Sequence, residues 1–206
     1  MDKKYDFIEG EILIIDKPLE WTSFDVVHKI RNAIKRKLEI KKIKVGHAGT
    51  LDPLATGVLV VCTGKMTKQI DRFVNETKSY DGIIQLGSTT PSFDLETQVD
   101  HVFPAKQHTA KEIESIAKTF LGEQLQVPPL FSAKRINGTR AYMLARKGED
   151  VKLAAKLITI HEIFLELKNN QQLAFKICCS KGTYVRSIAR DIGEKLGVGG
   201  LSLIHI

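Results

Sequence analysis

Two hydrophobic periods alternate along this chain, and they predict its elements. The run GEILIIDK is almost continuously apolar up to Pro18 and predicts a buried strand. Thr22, with Asp25 three residues on, then makes a capping box, after which Phe24, Val27, Ile30, Ile34 and Leu38 recur at helical spacing. GVLVVCTG predicts a second buried strand, and Met66, Ile70 and Phe73 a short helix behind it. In KSYDGIIQLGS the alternation of Tyr80, Gly82, Ile84 and Leu86 predicts a half-buried strand. The stretch from Ser88 to Lys106 is polar, aperiodic and broken by two prolines, so it reads as a loop or insertion. Thr109 and Glu112 form another capping box, for a helix whose apolar face is Ile113, Ile116, Phe120 and Leu121 and which Gly122 closes. VPPLFSAKRINGTRAYMLARKGE predicts a Pro-Pro turn, a short strand, an Asn-Gly turn and a short helix ending at Gly148. KLITIHEIFLELK and QLAFKICCS read as a hairpin through the polar turn NNQQ. The final helix, in KGTYVRSIARDIGEKLG, places Ile188 and Ile192 on one face and stops at Gly197.

Strands and helices are interspersed, but no strand-helix-strand unit repeats. The expected class is therefore α+β, with a mixed, largely antiparallel central sheet flanked by helices. Composition narrows the setting. With 43% apolar and 27% charged residues, the 206-residue chain can bury a core, which excludes a disordered or fibrous protein. No apolar run approaches the roughly 20 residues needed to cross a bilayer, and the N-terminus lacks the apolar core and cleavage site of a secretory leader. Cys62, Cys178 and Cys179 lack metal-type spacing and read as reduced thiols, so a cytoplasmic location is expected.

Charge adds a partner class. A net +7 favours a polyanion only if it is concentrated, and it is: Lys29, Arg31, Lys35, Arg36, Lys37, Lys41, Lys42 and Lys44 face only Glu39. This is the densest basic run in the chain.

Two segments could carry chemistry. KVGHAGTLDPLATGVL sets His47, Thr50, Asp52 and Pro53 among three glycines just before a buried strand. It has no phosphate-loop grammar, and no second His, Cys or carboxylate at metal-ligand spacing accompanies His47. Taken alone, Asp52 reads equally well as the starter of an Asp-Pro turn, and His47 as a structural loop histidine. The second segment, SKGTYVRSIARD, puts Arg186 and Arg190 one turn apart near a helix start, which alone describes a solvated helix face. Nucleophilic Ser or Cys chemistry finds no support, because no Gly-x-Ser-x-Gly elbow is present and the cysteines sit in apolar strands.

The combination says more. The loop around Asp52, Tyr80 in KSY, the segment KGTYVRSIARDIG, the opening GEILIIDKP with TSFDVV, and VPPLFSAKRINGTRAYMLARKGE together resemble the TruB family of tRNA pseudouridine-55 synthases. The five motifs run in family order from about Gly10 to Gly197. There are departures. The family has Gly in the step after DKP where this chain has Glu20, and the family's Arg-Arg segment after the last helix is absent from GVGGLSLIHI, although Leu201 and Leu203 could occupy part of that strand.

The resemblance implies one pseudouridine synthase catalytic domain over residues 1–206, short of the family's last segment and without its C-terminal PUA domain. It implies isomerisation of uridine to pseudouridine in the T-loop of tRNA, at position 55, by base flipping and an essential aspartate, with no metal or cofactor and in a monomer. By resemblance Asp52 is that aspartate, Arg186 pairs with it, and Tyr80 lies against the uracil and takes part in the final deprotonation. Tyr184 shapes the pocket and His47 fills the space left by the flipped base or contacts the loop. Lys17, with Pro18, supports the catalytic loop or contacts RNA, while Lys134, Arg146 and their basic neighbours grip the T-arm. A non-catalytic tRNA-binding or folding module is the alternative, and a small-molecule enzyme built on the Gly-rich loop a more distant one.

Overall fold

The computed structural model describes residues 5–204 apart from Ala133, Asn137, Asp150 and Lys152. The chain forms two compact units, residues up to Glu76 and residues Thr77–Ile204.

The first unit is a three-stranded antiparallel sheet packed on one long helix. Strand β1 (Ile12–Lys17) leads to helix α1 (Ser23–Lys37), then β2 (Val45–Ala48) and β3 (Gly57–Thr63), in spatial order β1-β3-β2. The capping box forms as its residue types require: Thr22 Oγ1 accepts from the Asp25 amide, and the Asp25 carboxylate accepts from the Thr22 amide. Val26, Val27 and Ile34 of α1 meet Val45, Leu59 and Val61 of the sheet, with Leu13, Ile15 and Trp21 packed against them. A 3₁₀ turn over Gly64–Gln69 and the short helix α2 (Ile70–Val74) close the unit where Met66, Ile70 and Phe73 predict a helix.

The second unit is a five-stranded antiparallel sheet with helices on one face. Its strands are β4 (Lys78–Leu86), then, after the two-residue pairs β5 (Ser88–Thr89) and β6 (His101–Val102) and helix α3 (Ala110–Lys118), strand β7 (Gly122–Gln126). A small ladder, β8 (Arg135–Ile136) with β9 (Thr139–Arg140), precedes helix α4 (Ala141–Arg146). The predicted Asn-Gly turn falls in sequence between β8 and β9, and its Asn137 lies outside the described residues. The long hairpin β10 (Lys156–Asn169) and β11 (Gln172–Cys179), helix α5 (Val185–Leu196) and β12 (Gly200–Ile204) complete the order β12-β4-β11-β10-β7. Alternate residues Ile84 and Leu86, Leu173 to Cys179, and Ile158 and Ile160 turn toward α3 and α5 and bury a core with Ile113, Phe120, Ile188 and Ile192. Helix α5 stops at Gly197, which takes the left-handed conformation (φ +74°).

The expected α+β class with an antiparallel sheet is what forms. One boundary differs. Gly122 does not close α3, which ends at Lys118; it opens β7, an edge strand whose polar sequence GEQLQ carries no strand period. Pairing with β10 supplies what the local pattern lacks.

Candidate active site

In the first unit the loop between β2 and β3 carries Asp52, and an unusual device holds it. Lys17, the last residue of β1, is completely buried. Its Nζ donates to the carbonyls of Trp21 (2.6 Å), Pro18 (2.9 Å) and Pro53 (3.3 Å). An ammonium has three donors and this one has three carbonyls to meet. Burial pushes the Lys17 pKa down from its ordinary value, while the negative charges of Asp52 and Asp25 oppose the shift. Two further bonds fix the loop: the Glu20 amide donates to Pro53 O (2.8 Å), and the Ser23 hydroxyl accepts from the Leu51 amide (2.9 Å) and donates to Leu51 O (3.2 Å). Asp52 is thus clamped on both sides, through Leu51 before it and Pro53 after it. Glu20 takes φ +65°, the conformation glycine adopts without strain, at the position where the family pattern has Gly. His47 lies partly buried on β2, its Nδ1 hydrogen-bonded to Gly49 O.

In the second unit Arg186 is 3% exposed on the first turn of α5. A buried guanidinium needs partners at each fork, and it has them. Nη1 donates to Ser92 O (2.9 Å) and lies 3.4 Å from a carboxylate oxygen of Asp94, itself 5% exposed, and Nη2 donates to Phe131 O (3.0 Å). The turn that presents Ser92 and Asp94 is built for the purpose. Phe93 between them is at φ +61°, Thr90 Oγ1 donates to Asp94 O (2.6 Å), the Ser92 amide donates to Thr97 Oγ1 (3.1 Å), and the Glu96 amide donates to the Asp94 carboxylate (2.9 Å). This turn lies in the aperiodic stretch that the sequence marks only as a loop. Asp94 is therefore a partner of a predicted site residue that sequence reasoning missed; no period or motif used there singles it out.

Gln126 is the second such residue. Its buried side-chain amide accepts from the Tyr184 amide (2.8 Å) and donates to Tyr184 O (3.1 Å), holding the residue just before α5 by both backbone groups. Tyr80 on β4 is partly buried, opposite Ile177, and packs against the core that also contains Val185 and Ile188. Tyr184 and Arg186 thus stand at the start of α5 and Tyr80 on β4, all in the second unit, whereas Asp52, His47 and Lys17 belong to the first.

The predicted RNA-gripping residues divide. Lys134 Nζ donates to Ala154 O (3.1 Å), and Arg146 forms an exposed ion pair with Glu96 (2.9 Å), so each has a local partner. Lys17, with no exposed surface and all three donors on carbonyls, is placed to support the loop and not to reach a phosphate. Among the described residues, no group of three or more His, Cys, Asp and Glu side chains could hold a metal ion.

Comparison with known proteins gives the family. The family described as TruB family pseudouridylate synthase (N terminal domain) matches residues 35–185. The tRNA pseudouridine synthase B of Parabacteroides distasonis is 55% identical over 194 residues, which are 94% of this chain and 83% of that protein. The protein of the same name from Phocaeicola vulgatus is 56% identical with the same coverage. Among solved structures, a chain in the crystal structure of a Cbf5-Nop10-Gar1 complex superposes with a TM-score of 0.66 at 26% identity, over 95% of this chain and 47% of that one. The archaeal box H/ACA sRNP Nop10-Cbf5 complex, at TM-score 0.63 and 22% identity, bears on the fold alone. A family match across most of the chain, with relatives more than half identical along most of their own length, makes this chain a member of the TruB family of pseudouridylate synthases.

Proposed function

We propose that this enzyme converts uridine to pseudouridine in the T-loop of tRNA, at position 55, with Asp52 as the essential carboxylate. The observation that carries the reading is the name and closeness of its relatives: tRNA pseudouridine synthases B at 55% and 56% identity over 94% of the chain. The reaction detaches uracil from ribose at nitrogen, turns the base and rejoins it through carbon. Nothing is oxidised or hydrolysed, so an ionised carboxylate suffices, acting as nucleophile or as base. A loop clamped through Leu51 and Pro53 suits a side chain that must meet one sugar carbon in one orientation.

Tyr80 stacks on the uracil, Tyr184 shapes its pocket, and Arg186 supplies the positive charge that keeps the reacting carboxylate ionised in a water-poor site. Asp52 belongs to the first unit, and Tyr80 and Arg186 to the second. The target base is stacked in its loop, and turning it out costs on the order of a few kcal/mol, offset by contacts to the flipped base and the RNA backbone. His47 takes the space the base leaves. The basic run from Lys29 to Lys44, with Lys134 and Arg146, meets phosphates of the T-arm.

The test is incubation with unmodified tRNA followed by mapping of pseudouridine. Product at position 55 is expected, with none from Asp52→Ala even though that variant keeps its tRNA affinity within several-fold. Binding without product from the parent protein would mark a tRNA-binding or folding module. Equal loss of binding and turnover in Asp52→Ala would assign Asp52 to the structure of the loop.

A further inference from the structure

The outer side of α1 carries an aromatic pair that the first unit's core does not use. Phe24 is 61% exposed, whereas Val26, Val27 and Ile34 of the same helix are buried against the sheet. One turn along, the His28 ring lies nearly parallel to it, with 15° between the planes and 6.4 Å between centroids. Asn32, a further turn on, sits with Nδ2 3.3 Å from His28 Nε2, which restrains the ring's rotation. At 100° per residue, Lys35 falls on the same stripe as Phe24 and His28. On the flank, the Lys29 ammonium lies 4.8 Å from the centre of the Trp21 ring.

An exposed phenyl ring stacked on an imidazole and bordered by cations matches what single-stranded RNA offers: a flat base with a phosphate on either side. Charge selects the occupant, since residues 29–44 carry eight Lys and Arg against Glu39 alone, which excludes another basic surface such as a second copy of this helix. Position narrows it further. Phe24 directly follows Ser23, whose hydroxyl grips Leu51 beside Asp52, so the first turn of one helix carries both the ring and part of the clamp on the Asp52 loop.

We propose that Phe24 and His28 form a stacking platform for an unpaired nucleobase of the RNA substrate, a neighbour of the target uridine and distinct from it. The assignment rests on the RNA-modifying reading above. It gives the first unit a base-recognition element as well as a carboxylate, and it makes affinity depend on an aromatic ring at position 24.

The experiment measures binding of a T-arm stem-loop RNA with 2-aminopurine in its loop to the parent, Phe24→Ala, Phe24→Leu and Phe24→Trp. The site is exposed, and equal melting temperatures check that the variants fold. Phe24→Ala and Phe24→Leu should each weaken binding about tenfold, equivalent to about 1.4 kcal/mol, and lose part of the stacking-induced fluorescence change. Phe24→Trp should bind within about twofold of the parent. Parent-like affinity in Phe24→Ala, or leucine serving as well as tryptophan, would overturn the platform. The two readings fail separately. Pseudouridine formation without aromatic dependence removes the platform alone, and aromatic-dependent binding without pseudouridine removes the isomerase alone.

Discussion

At the scale of single residues, three charged side chains, Lys17, Asp94 and Arg186, are buried among the described residues. Lys17 has no exposed surface, and its ammonium replaces water with the carbonyls of Pro18, Trp21 and Pro53. In Lys17→Met those three acceptors lose their donor, so a loss of about 2–3 kcal/mol of stability is expected, together with a fall in turnover as the Asp52 loop loosens. The pH dependence has a definite sign. Burial lowers the folded-state pKa of Lys17 below 10.5, so between the two values the unfolded chain binds more protons and the lysine's net contribution grows as pH rises. The deficit of Lys17→Met should therefore be larger at pH 10 than at pH 7, as read by urea unfolding of both proteins at each pH. Burial also decides what was legible. Asp52, Tyr80 and Arg186 can be named through their motifs, but Asp94 cannot, because its meaning comes from a partner 92 positions away that only the fold brings within 3.4 Å. Lys17 is in the same position: the sequence identifies it as a motif residue, and only burial distinguishes loop support from RNA contact.

Among the elements, the ones with a clear period and sharp ends follow the sequence closely. α1, the β10–β11 hairpin and α5 are each set by a local cause: a Thr22–Asp25 box, a polar turn, a left-handed Gly197. β1 forms where its apolar run predicts a strand but is not the buried strand expected, because Ile12 and Ile14 are exposed on one side of it. β7 is the counter-example. GEQLQ has no apolar face, and Leu125 is 72% exposed; the strand exists because β10 offers an edge from Lys156 to Ile160. Its last residue nevertheless matters most, since Gln126 is buried and holds Tyr184 by both backbone groups. Gln126→Ala should cost about 1–2 kcal/mol by leaving those groups unpartnered. If Tyr184 shapes the uracil pocket, the same variant should lower kcat/KM for tRNA, and Gln126→Glu, which keeps the acceptor for the Tyr184 amide but loses the donor to its carbonyl, should recover part of it. Loss of stability without loss of kcat/KM would leave Gln126 as a strand-to-helix fastener only.

Over the whole molecule, charge is arranged more simply than fold. The eight basic residues between Lys29 and Lys44, opposed by Glu39, carry +7, which equals the net charge of the entire chain, so the remaining residues balance. A uniformly basic protein would attract RNA from every side; this one has its densest basic run on and just after α1, and a second, smaller one from Lys134 to Lys147. Not all of the first is available, because Arg31 is committed to the Val45 carbonyl at 2.9 Å, but Arg36, Lys37, Lys41, Lys42 and Lys44 are exposed. Each Lys or Arg that neutralises a phosphate releases counterions and adds roughly 0.7–0.9 to the slope of log affinity against log salt. The double variant Lys35→Ala, Arg36→Ala should therefore bind tRNA more weakly at low salt and show a slope shallower by about 1.5, with turnover at saturating tRNA nearly unchanged. Phe24→Ala, which removes a ring and no charge, should weaken binding with the slope intact. Titrating tRNA affinity against salt for the two variants separates the two forces on one helix. An unaltered slope in the charge variant would mean that these side chains are solvated and that the T-arm is held elsewhere.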